Sequence, residues 1–191
     1  AVTMVSLCTV RSSGAMELVR TLDPARDRYL QDHRLDEKPV FPAAMAIELM
    51  AEVGQKAWPE LQVVGVRSLR ILRGIVLDQG PKSLRVVARP QTQPVQEGLE
   101  REVDVEIREL DRPAHVCYRA TVRLAEQLPD PPPYQSVARV DWREFPLAVD
   151  EAYRSWLFHG PIFQCISEIQ GIGAQGIVAT VMPSSPRHCL Q

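Results

Sequence analysis

Cysteine is scarce and scattered in this chain of 191 residues: Cys8, Cys117, Cys165 and Cys189 form no C-x-x-C pair. That spacing argues against a zinc knuckle and against a disulfide scaffold, and reduced, mostly buried thiols are expected. An excess of one charge is missing too. The 22 Lys and Arg against 24 Asp and Glu leave a net charge of -2, scattered throughout, so there is neither a basic stripe for nucleic acid nor an acidic tail. No apolar run approaches the roughly 18 residues of a membrane span, and the opening AVTMVSLCTV lacks the basic region and cleavage site of a secretory leader. A soluble cytoplasmic protein is expected, with neither nucleic acid nor membrane as partner. A Gly-rich phosphate loop, a nucleophile elbow and an H-x-x-x-H pair are also absent. Nucleophilic and metal mechanisms therefore have no candidate residues.

What is present is organised around the stretch DHRLDEKPVFPAAMAIELM, residues 32–50. A loop carrying His33 leads into a helix whose first position suits Pro42, where a missing N–H costs nothing, and which runs to about Trp58 because Pro59 cannot continue it. Met45, Leu49 and Val53 share one face with Ala46, Met50 and Ala57 beside it, whereas Glu48, Glu52, Gln55 and Lys56 gather opposite. Strands are expected at 3–10 and 16–22 before the loop. After Pro59 they follow at 61–66, 69–77, 83–90, 99–110 and 114–125. In the last two, Val103, Val105 and Ile107 alternate with Glu102, Asp104 and Glu106, and Tyr118, Ala120 and Val122 alternate with Arg119, Thr121 and Arg123. Period two over that length means antiparallel strands buried on one face. One long helix with an antiparallel meander is an α+β layout, a sheet wrapped on a helix.

Residues 126–140 read as a linker, because four prolines fall between Gln127 and Ser136 and favour a stiff extended chain. This divides the chain into a first domain, 1–125, and a second unit, 141–191. The second unit has a helix at 147–158, a break at His159-Gly160-Pro161, and strands at 162–170 and 175–182. Fifty residues are too few for a core of the first domain's size, so the second unit reads as incomplete. Of the four histidines, His115 alternates onto a solvent-type face and His188 sits in a tail without support. His33, before a helix start rich in unpaired N–H groups, has the setting of an acid/base site. His159 by itself carries less than His33, since its F-H-G-P-I-F setting reads as a turn whose Phe158, Ile162 and Phe163 pack inward.

At this point the residues resemble a known family. D-H-x-x-x-x-x-P-V-F-P-A-A, with His33 and Pro42 nine apart, is similar to the H-x-x-x-G-x-x-x-x-P motif of dehydratase domains in polyketide and polyunsaturated fatty acid synthases. F-H-G-P-I-F at 158–163 looks like that family's Y-G-P-x-F motif, with His159 in the tyrosine position. The resemblance covers nearly the whole chain and implies a double hot-dog fold, two antiparallel sheets each wrapped on a central helix. The second hot dog would be incomplete here.

The implied reaction is loss of water from a 3-hydroxyacyl thioester carried on the phosphopantetheine of an acyl carrier protein, with no other cofactor. His33 would be the general base. Backbone groups around Glu37, Pro42 and Ala43 would hold the thioester oxygen, and Phe41, Pro42, His159, Gly160, Pro161 and Phe163 would line the substrate channel. The implied partners are the carrier protein, other synthase domains, as in fatty acid biosynthesis, and a second copy in a homodimer. Two departures stand out: Glu37 occupies the motif's glycine position, and the family's acid, an aspartate four residues before Gln or His, has no match, since Asp141 and Asp150 precede the HGP turn. Two other readings stay open, a degenerate structural domain and a hot-dog thioesterase using Glu48 or Glu52.

Overall fold

The computed structural model describes residues 9–10, 14–91, 101–133 and 141–183. Its organising element is the 15-residue helix α1 (Ala43–Ala57). Ala46, Leu49, Met50 and Val53, spaced three and four apart, are fully buried, as a helix lying on a sheet requires. The sheet consists of β1 (Thr9–Val10), β2 (Met16–Leu22), β5 (Gln62–Ile71), β6 (Lys82–Pro90), β7 (Arg101–Glu109) and β8 (Val116–Ala125), in the order β1-β2-β6-β7-β8-β5 with every pairing antiparallel. The alternation works as the sequence predicts. Val103, Val105, Ile107, Tyr118, Ala120, Val122 and Leu124 face α1 and are buried. The opposite face carries cross-strand ion pairs, among them Glu17–Arg85, Glu106–Arg89 and Glu102–Arg67. Hydrogen bonding from Arg67 holds the Glu102 carboxyl below its ordinary range. Helix and sheet approach so closely that a Cβ on Gly54 would lie 3.1 Å from Val122 Cγ1. This is a hot-dog fold.

Three expectations need correction. Pro42 is the residue before the helix, with φ -66° and ψ 143°, not its first residue. Its extended ψ lets the chain arrive from the His33 loop, and its carbonyl accepts the first helical bond from the Ala46 N–H at 3.0 Å. The N–H groups of Ala43, Ala44 and Met45 are left without helical partners. Gln55, expected on the side opposite the apolar face, is half-buried: its amide donates to the Leu61 carbonyl and accepts from the Val63 N–H, tying the helix end to β5. The strands expected at 61–66 and 69–77 are instead the single strand β5, after which the chain leaves the sheet. Ile75 to Leu77 pairs with Pro39 to Phe41, through Phe41 N–H to Ile75 O and Leu77 N–H to Pro39 O, both 2.9 Å. The backbone groups of that segment are satisfied by the histidine loop, not by a neighbouring sheet strand.

The second unit holds a short helix, α2 (Val149–Ser155), and a hairpin, β9 (Ile166–Gly173) with β10 (Gly176–Val181). α2 is shorter than the expected 147–158, and residues 161–163 form a 3-10 turn before β9 in place of a strand start. Every fully buried member of the main core lies between Met16 and Leu124, whereas Trp156 is 79% exposed. The two units therefore do not share a core, although Phe163 packs against the first. The expected strand 3–10, the Leu99 end of strand 99–110 and the linker 126–140 lie partly outside the described residues. Cys8, Cys189 and His188 lie wholly outside them.

Tyr118 joins sheet and loop, because its buried hydroxyl donates to the Phe41 carbonyl at 3.1 Å. Tyr118→Phe deletes the donor and leaves that carbonyl buried without its partner. Urea denaturation is expected to show a loss of about 1–2 kcal/mol.

Candidate active site

The loop before α1 is anchored at both ends. Near its start, the Asp27 carboxylate accepts the Asp23 N–H at 2.8 Å and pairs with Arg20 at 2.5 Å, while Tyr29 and Leu30 are fully buried. Near its end lies the pairing with Ile75 to Leu77. Between them the chain forms a two-residue hairpin, β3 (Arg34–Leu35) with β4 (Lys38–Pro39). Its tip residues Asp36 and Glu37 have φ of 48° and 61°, the mirror-image turn that matches strand twist but suits Asn and Gly. The left-handed conformation that the motif glycine implies is thus present at Glu37, carried by a side chain. Arg34 donates to the Glu37 carbonyl and braces the turn.

His33 is half-buried beside this hairpin. Its carbonyl accepts the Val40 N–H at 3.0 Å, and its Nδ1 lies 2.9 Å from the Val40 carbonyl oxygen. A carbonyl can only accept, so Nδ1 carries the hydrogen and Nε2 keeps its lone pair. Backbone pairing then brings residue 159 to residue 33, as an isolated antiparallel bridge. Around the His33 ring stand Phe158, His159 and Phe163, edge-on at 5.0, 5.8 and 5.8 Å between centroids. His159 stacks on Phe158 at 4.1 Å. Burial, and secondarily the neighbouring His33, lowers the His159 pKa below the ordinary imidazole value. A neutral imidazole with a free lone pair, walled by aromatic rings, can take a proton from a carbon acid.

The residues singled out from sequence divide into two groups. His33, His159, Gly160, Pro161 and Phe163 come together across the two units. Phe41 does not join them: it is 1% exposed and packs against Tyr29 and Tyr118 in the core, so its side chain is a core element and not a channel wall. Pro42 is buried, Ala43 half-buried, and Glu37 exposed at the hairpin tip. Glu48 is exposed, as are Asp141 and Asp150. Among the described residues no ion pair joins His33 or His159 to a carboxylate, and no cluster of His, Cys, Asp and Glu could hold a metal ion. Sequence reasoning missed Asp32, whose carboxylate accepts the Ile162 N–H at 2.8 Å. Its place beside His33 was the only signal.

Comparisons with known proteins bear on the family and the fold. A family model described as the polyketide synthase dehydratase domain matches residues 7–109. The dehydratase domain from the CurF module of curacin polyketide synthase superposes with a TM-score of 0.71 at 15% identity, covering 97% of this chain and 67% of that one. The dehydratase domain of PpsC from Mycobacterium tuberculosis gives 0.70 at 20% identity, covering 96% and 65%. A structure of that PpsC domain in complex with C12:1-CoA gives 0.68 at 21% identity, covering 96% and 64%. The chain thus spans about two thirds of the length of the solved structures it matches. No curated protein matches it.

Two outcomes follow from the loop and the paired rings. Glu37→Gly relieves a left-handed side chain at a residue that touches solvent, and thermal unfolding is expected to show stabilisation of about 0.5–1 kcal/mol after the greater unfolded-state entropy of glycine is subtracted. Because the folded pKa of His159 is depressed, the folded state binds fewer protons than the unfolded state as pH falls below about 6.5. Stability is therefore lost on acidification, and the loss grows until the folded pKa is passed. The stability concerned is that of the docked turn: hydrogen-exchange protection of the Gly160 and Ile162 amides should fall between about pH 7 and about pH 5.5 in the wild type, and less so in His159→Phe.

Proposed function

The chain belongs to the polyketide synthase dehydratase family, and on that premise we propose that it removes water from a 3-hydroxyacyl thioester presented on the phosphopantetheine arm of an acyl carrier protein. The observation that carries this reading is the bond between His33 Nδ1 and the Val40 carbonyl. With Nδ1 protonated and fixed, Nε2 of His33 is the base that takes the proton α to the thioester carbonyl. The electron pair moves onto the thioester oxygen, where the unpaired N–H groups at the start of α1, from Ala43 to Met45, supply positive potential. Collapse of the enolate forms the α,β double bond and expels the β-hydroxyl. The departing hydroxide takes a proton from the His33 imidazolium or from an acid outside the described residues, so one water leaves.

His159, Gly160, Pro161 and Phe163 line the apolar approach for the arm and acyl chain, with His159 neutral at working pH. Pro42 and Ala43 border the oxygen site. Glu37 acts only through its backbone, which sets the hairpin. The chemistry needs no metal and no cofactor beyond the carrier's arm. Partners are the acyl carrier protein, other domains of the synthase and a second copy of the chain, whether the pathway makes polyketides or polyunsaturated fatty acids. The location is cytoplasmic. Among the described residues no helix is long and apolar enough to cross a membrane.

The test is mass spectrometry of a 3-hydroxyacyl carrier protein incubated with the full-length protein. The wild type should yield a product lighter by one water, and His33→Ala should lower that rate by about 100-fold or more. Release of free acid would instead identify a thioesterase, and an unchanged rate in His33→Ala would remove the histidine from the chemistry.

A further inference from the structure

Among the described residues, two consecutive residues of the histidine loop meet the turn of the second unit. His33 meets the rings of Phe158, His159 and Phe163. Asp32 meets the backbone of the same turn. Its carbonyl accepts the Gly160 N–H at 2.7 Å, and its Oδ2 accepts the Ile162 N–H at 2.8 Å. The second bond has a specific cause. Residues 161–163 form a 3-10 turn preceded by Gly160, which has no side chain with which to cap it. Pro161 has no N–H, so the amide of Ile162 is the first donor that the turn presents. A carboxylate 130 positions earlier in the chain satisfies it, as a capping residue normally does from within its own segment.

The fit leaves no slack. A Cβ on residue 160 would lie 2.5 Å from Asp32 Oδ1, 2.7 Å from Cγ and 2.8 Å from Cα, so the turn can dock here only with glycine at that position. The turn is itself folded by the Phe163 N–H to the Gly160 carbonyl at 3.0 Å and by the Gln164 side chain to the His159 carbonyl at 2.9 Å. It therefore docks as a unit. We infer that Asp32 is a positioning residue: its carboxylate caps the HGP turn from the other unit and so holds His159 and Phe163 against His33. Oδ2 is committed to an amide, and Oδ1 lies against the Gly160 backbone. Asp32 is thus not the acid of the reaction, although it precedes the base. The core of the first unit takes none of its fully buried residues from the second, so loss of this cap uncouples the units without unfolding the sheet around α1.

Only the catalytic consequence rests on the dehydratase reading, and the test has an arm for each. In the 191-residue chain, NMR follows the titration of the His159 ring, which stands against the His33 ring. Asp32→Ala should move that titration up toward the ordinary imidazole value, as the ring loses its cover and its neighbour. Asp32→Asn, which retains an acceptor oxygen, should stay near the wild type, and the urea midpoint of the main core should be unchanged in both. In the full-length protein, Asp32→Ala should lower kcat/KM for water loss by about 100-fold, through misplacement of the ring wall, and Asp32→Asn by no more than about tenfold. An unmoved His159 titration in Asp32→Ala overturns the proposal. So does an Asn variant as impaired as the Ala variant, or a core destabilised along with the site. If the wild type performs no dehydration, the functional reading fails while the titration still decides the role of Asp32.

Discussion

Val40 has both backbone groups committed to His33, its N–H to the main-chain carbonyl and its own carbonyl to the ring. On its other side the same stretch pairs with Ile75 to Leu77, and Phe41 behind it accepts the Tyr118 hydroxyl from the central strand β8. The histidine is therefore clamped to the sheet through backbone and one phenol, with no flexible side chain intervening. The bond that fixes the ring also fixes which nitrogen faces outward, since a carbonyl can only accept. The cost of tying down a loop is spread over a core that exists in any case.

The two units differ in what holds them. The first buries a full helical face against five long strands. The second, as described, is a helix of seven residues and a hairpin whose apolar side chains are half-buried or, at Ile177 and Val181, exposed. A two-stranded hairpin is marginal by itself, and here it gains order by docking its turn on the histidine loop. Structure thus runs from sheet to loop and from loop to turn. The chemistry of the site lies at the far end of that chain of support, where one capping carboxylate and a few ring contacts replace a core.

Much of this was legible in the sequence, for reasons of period. Alternation in β7 and β8 announced which residues face α1, and the three-four spacing of Ala46, Leu49, Met50 and Val53 announced the helix face. Proline and glycine marked the histidine loop and the HGP turn. What was not legible depended on partners far away in the chain. Nothing local says that residues 75–77 abandon the sheet to pair with the loop, because an apolar run looks the same whichever strand it meets. Phe41 read as a channel residue for a similar reason: neighbours in sequence share a loop, yet alternate side chains on an extended segment point in opposite directions, and Phe41 points into the core. Asp32 was visible only as a neighbour of His33, since a cap supplied from 130 residues away has no sequence signature.

That separation bears on how the molecule is made. Strands β6, β7 and β8 follow one another in the chain and pair in that order, whereas the contact from residue 32 to residue 162 joins segments 130 residues apart. Chain entropy sets such a contact late, after each partner has taken its shape. The histidine loop is then complete in form before the turn arrives, with the His33 ring already oriented by Val40 and its wall of rings still missing. During synthesis from the amino terminus, the loop can take its shape well before the segment that walls it has been made.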